Sequence, residues 1–155
     1  MSSRIVAGIV GGLIAGVVFG MMMQTMTAPT PDGSQMPMIN MVGMIVGSPT
    51  AAAGWLYHLF NSAVIGALFG WVLGARSSTY GSALAWGAAY GVAWWILGGL
   101  ILMPVLLGMP AFAPLMMPGM GMVAMGSLMG HLIYGLVLGG AYVALVRRTP
   151  AIARV

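Results

Sequence analysis

Polar positions are so sparse along this chain that the apolar runs define it. Four stretches of about 20 or more mostly apolar residues occur, the length a helix needs to cross a bilayer. They are Arg4–Thr25, Ala51–Ala75, Tyr80–Leu102 and Val123–Val146. Three connections separate them. Ser77–Thr79 is short, so the second and third spans are expected to form a tight hairpin. Met26–Thr50 and Met103–Met122 are longer and rich in Pro, Gly and Met. Within the first of these, Gln35–Gly47 is apolar enough for a short interfacial or re-entrant piece.

Two copies of one pattern account for this order. In the first, GVVFGMMM leads through a Met/Pro loop to GWLYHLFNSAVIGALFG; in the second, GVAWWILG leads through a similar loop to GSLMGHLIYGLVLGGAY. His58 aligns with His131, Ser62 with Gly135 and Gly66 with Gly139. Each copy holds an even pair of spans, so both keep one orientation, the parallel type of internal repeat. The expected fold is all-α: an integral membrane four-helix bundle of two tandem transmembrane hairpins. It forms one domain over Met1–Val155, with repeat one at Arg4–Arg76 and repeat two at Tyr80–Arg148.

Composition agrees with this reading. Hydrophobic residues make up 61% and charged residues 4% of the chain, against about 25% charged in soluble domains. The five basic residues are all arginines: Arg4, Arg76, Arg147, Arg148 and Arg154. All fall on one side of the predicted spans. The positive-inside rule then puts both termini and the short turn in the cytoplasm, and the Met-rich loops outside a cell (inner) membrane. Five dispersed arginines do not build a phosphate-tracking surface, so nucleic acid is not an expected partner. The first span exceeds a signal-peptide core and no small-x-small cleavage site follows it, so it is expected to be retained.

Small residues recur at fourth positions, which share a helix face. The stripes are Gly54, Ser62, Gly66 and Gly70 around His58, and Ser127, Gly135 and Gly139 around His131. Gly8, Gly12, Gly16 and Gly20, and Gly87 and Gly91, repeat the pattern in the other spans. Such stripes let backbones approach closely in lipid, within one chain or between copies. They turn the two histidines toward protein, where each imidazole needs a hydrogen-bond partner; Asn61 and Tyr134 are candidates. Both histidines lie about eight residues into outward-starting helices, hence roughly 12 Å deep. Paired imidazoles at one depth suit axial ligation of haem or another tetrapyrrole, with glycines making room. A hydrogen-bonded, purely structural role is the plainer alternative.

Apart from Met1, every one of the 17 methionines lies in Met21–Met44 or Met103–Met129, the two outward segments. Soft thioethers favour Cu(I), and Met36, Met38, Met41, Met44, Met117, Met120 and Met122 are the candidate ligands. Methionines also fill irregular gaps and make adaptable contact surfaces. With one acid, Asp32, and no lysine or cysteine, nothing supports acid–base, Schiff-base, thiol or hydrolytic catalysis. A non-enzymatic membrane subunit is expected, packed against lipid and against partner subunits or its own copies, as in a respiratory or photosynthetic assembly.

The end of the first span (MMMQTMT), the loop MPMINMVGMIVG and the helix GWLYHLFNSAVIGALFG resemble a group of small Met-rich prokaryotic integral membrane proteins with a Gly-Trp-x-x-His transmembrane helix. WWILGGLILMP and GHLIYGLVLG extend the likeness into the second half. The resemblance implies the fold; no activity comes with it.

Overall fold

The computed structural model describes residues 2–30 and 33–148; Asp32 and Arg154 therefore lie outside the described residues. Among the described residues, four helices are long and apolar enough to cross a membrane: Ser3–Thr25, Ala51–Val72, Tyr80–Leu106 and Gly121–Arg148. This is the signature of a multi-pass membrane protein. The first is α1 (Ser2–Thr25), followed by strands β1 (Thr27–Pro29) and β2 (Gln35–Pro37) and by α2 (Met38–Met44). Then come α3 (Ala51–Val72), α4 (Tyr80–Trp94), a π-helical segment (Trp95–Leu102), α5 (Met103–Leu106), α6 (Ala113–Met116) and α7 (Gly121–Arg148). The small antiparallel β1–β2 ribbon, with Thr27 opposite Pro37, was not expected from an all-α reading.

α1 packs chiefly on α3, α4 chiefly on α7, and α1 on α7 across the centre of the bundle. The glycine stripes explain the first two pairings. A Cβ on Gly66 would strike the carbonyl of Gly8 and lie 2.8 Å from the Cα of Gly12, which is backbone meeting backbone. A Cβ on Gly135 would strike the carbonyl of Gly87, and one on Gly139 the carbonyl of Ala83. Gly70 faces Arg4 in the same way. These stripes are consumed inside the chain, where close contact gains dispersion that lipid cannot offer selectively. Gly54 departs from its stripe's expected role: its missing side chain makes room for Ile39 of α2. Thus α2 folds down onto the start of α3.

Turn length misleads about the second and third spans. The turn is tight, and Thr79 and Ser82 form a reciprocal capping box that starts α4. The helices it joins then diverge, with almost no backbone contact between α3 and α4. Aromatic side chains fill the part of the wedge nearer the turn. Phe69 stacks edge-on against Tyr90 and Tyr142, and the Tyr90 hydroxyl donates to the carbonyl of Ile65 at 2.8 Å. The tight hairpin is therefore only a tight turn, because bulky rings hold its arms apart. At this same end Arg147 donates to the Ser78 carbonyl and covers the Tyr80 ring.

The third span changes its winding at Trp95. Pro104 has no N–H to give, so it frees a carbonyl one turn back. The Leu100 carbonyl is instead taken by the N–H of Phe112 at 2.6 Å. Phe112 itself adopts the left-handed conformation, φ 63°. A widened π segment followed by a returning loop is the result, and Gly98 and Gly99 lie within it.

Candidate functional site

α3 and α7 each carry one histidine toward α1, where the Phe19 ring meets both edge-on. Ring centroids are 5.6 Å apart for Phe19 and His58, and 4.9 Å for Phe19 and His131. The structure thus brings both imidazoles to the same aromatic ring. Neither uses the partner expected of it. A ring nitrogen of His58, Nε2, donates to the carbonyl of Gly16 at 2.9 Å. In His131 it is Nδ1 that donates, to the carbonyl of Ser127 one turn earlier, at 2.8 Å. Tyr134 donates its hydroxyl to the Ser62 carbonyl at 3.0 Å, tying α7 to α3. Ser62 in turn donates to the His58 carbonyl. Asn61 contacts no imidazole through a hydrogen bond and instead lines the adjoining cavity.

A carbonyl oxygen only accepts, so each hydrogen bond fixes which nitrogen carries the proton. In the neutral ring the free lone pair belongs to Nδ1 of His58 and to Nε2 of His131. The two rings are therefore not equivalent. Nε2 of His131 faces the π segment, where a Cβ on Gly98 would stand 3.9 Å away. Gly99 borders the same ring, its absent Cβ 3.4 Å from Cε1.

The cavity beside these groups has a volume of about 310 Å³ and is bounded by α1, α2, α3, the π segment, α5 and α7. Its polar lining comes from Tyr57, His58, Asn61, Ser62, Ser127, His131 and Tyr134, set among Phe19, Met23, Trp94 and aliphatic residues. It opens sideways through the wedge between α3 and the third span, past the exposed Val64, Leu102 and Leu106. Such a volume with a few convergent polar groups is in the usual range of small-molecule sites.

The expected methionine ligands separate into two sets. Met38, Met41 and Met120 are buried and line a second, smaller space with Met103 and Met109. Met36 is half-buried, whereas Met44, Met117 and Met122 are exposed, the last by 83%. Among the described residues no group of three or more His, Cys, Asp or Glu is placed to hold a metal ion. Phe19, Gly98 and Gly99 were not expected at the site. Gly-Gly a few residues before Pro104 signals a break in the helix, but nothing local shows that the break faces His131. No family model, curated protein or solved structure matches the chain.

Proposed function

We propose that this chain is a non-enzymatic, multi-pass membrane subunit that holds a tetrapyrrole, edge-in, in the laterally open cavity between α3 and the third span. The observation that carries the reading is the state of His131. Its Nδ1–H is anchored on the Ser127 carbonyl, and its Nε2 lone pair faces a glycine-cleared wall. A ligating histidine commonly donates its other N–H to a carbonyl, which orients the ring and raises its basicity. Ligation by His131 alone suits the geometry better than ligation by both histidines. The Nε2 of His58 is occupied by Gly16, and Phe19 packs against both rings.

Two tandem hairpins organise this subunit. In support, Gly12 meets the Ser62 carbonyl as Gly87 meets that of Gly135, and Gly66 meets Gly8 as Gly139 meets Ala83. Corresponding positions of the two copies thus make corresponding contacts. With the arginine end cytoplasmic, the cavity and the methionines lie toward the outer face. We place the chain, on its Gly54-Trp55-x-x-His58 helix, with the Met-rich membrane proteins it resembles. Association with partner subunits uses the lipid-facing surface, since the glycine stripes are already occupied.

Absorbance tests the ligand. Protein purified in mild detergent, or loaded with haem and then desalted, should show a Soret band shifted from that of free haem; His131→Ala should abolish the shifted band, and His58→Ala should leave it. A preparation that retains no haem after desalting, or whose band matches that of free haem in the same detergent, removes the reading.

A further inference from the structure

A second space lies just above the histidine cavity, away from the arginine end. Its volume is about 30 Å³, and five methionines line it: Met38, Met41, Met103, Met109 and Met120. They converge from distant parts of the chain. Met38 and Met41 come from α2, Met103 begins α5, Met109 lies in the following loop, and Met120 directly precedes α7. Met38, Met41 and Met120 are each no more than 9% exposed. The rest of the wall is apolar or glycine apart from one hydroxyl, that of Ser127.

The size and the lining do not suit the ordinary contents of such a space. A water would fit, but a buried water needs about two to four polar partners, and the lining side chains offer a single hydroxyl. Left empty, the space forfeits dispersion contacts along its buried walls. Five flexible thioethers could close it by changing rotamer, yet they surround it. We infer that these methionines form a binding site for one Cu(I) ion.

Thioether sulfur is a soft, neutral donor that favours Cu(I) over hard cations. Charge narrows the choice further. The only acid in the chain is Asp32, which lies outside the described residues, so no carboxylate in the described structure offsets a dication. A monovalent ion brings the smaller desolvation cost into this apolar wall. Met38, Gly99, Met103 and Ser127 line both this space and the histidine cavity, so the ion sits beside His131. The site is nevertheless built without either imidazole and does not rest on the tetrapyrrole reading.

The full chain in detergent is loaded with Cu(I) under ascorbate, challenged with bicinchoninate and desalted; retained copper is then counted. X-ray absorption reports its neighbours. Because the chain has no cysteine, any sulfur around the copper must be methionine. The wild type should retain one ion in a sulfur shell. The combined Met38→Leu, Met103→Leu and Met120→Leu variant, which nearly conserves volume, should lose it. Changing the exposed Met44, Met117 and Met122 to leucine should leave retention intact. Wild type without copper, retention by the buried triple variant, or loss in the exposed one overturns the site. Should the buried triple variant fail to fold, Met103→Leu alone must weaken retention against bicinchoninate; unchanged retention also overturns the site.

Discussion

Adjacent glycines in α7 offer a direct measure of what the close backbone contacts contribute. Gly139 faces α4: an added Cβ would strike the Ala83 carbonyl and lie 2.8 Å from its carbon. Gly140 sits one residue on, and its Cβ would meet only the Leu84 Cδ2 at 3.9 Å, an ordinary contact. Replacing either by alanine brings the same gain in helix propensity, about 1 kcal/mol. That gain cancels when the two variants are compared. What remains is overlap with main chain that no rotamer change can relieve. α4 and α7 must separate by roughly 1 Å, and a gap of that order already loses a quarter to a half of each contact's dispersion energy. Gly139→Ala should therefore be about 1–3 kcal/mol less stable than Gly140→Ala, the usual cost of overpacking. Gly140→Ala itself should match or exceed the wild type. Reversible unfolding in mixed micelles, followed by circular dichroism, measures both. Equal stability of the two variants would mean that this face of α7 does not meet α4, and the packing scheme would fail.

Three other outcomes follow from particular contacts. Tyr134→Phe removes the hydroxyl that ties α7 to the Ser62 carbonyl, and the same unfolding assay should register a loss of about 0.5–1.5 kcal/mol. Thr79→Ala breaks the capping box at the start of α4; a loss of about 1 kcal/mol is expected, and Thr79→Ser should recover most of it. Since the chain contains no cysteine, single cysteines report sidedness. Met122→Cys should react with an impermeant maleimide in intact cells and Ser78→Cys only after lysis; the opposite pattern reverses the proposed orientation.

The packing of α3 on α1 and of α7 on α4 shows how far a face pattern carries. Stripes at fourth positions indicate which side of each helix seeks a backbone, and Gly66, Gly70, Gly135 and Gly139 all meet one. Gly54 has the same spacing and meets α2 instead, because a stripe specifies a small face without specifying the neighbour. The histidines follow the same logic. Their burial was legible from the stripes, but the acceptors are main-chain carbonyls of Gly16 and Ser127. Every residue carries a carbonyl, so no residue type announces which one is used.

Span count, apolar character and the sidedness of arginine and methionine are sums over local sequence, and hydrophobic transfer makes such sums sufficient. Three features depended on tertiary structure: the splay of α3 from α4, the free nitrogen of His58, whose acceptor lies on α1, and the methionines that converge. Each is decided by the rotation and spacing of helices packed against one another. In lipid those are set by where one backbone fits another, not by the apolarity all four share.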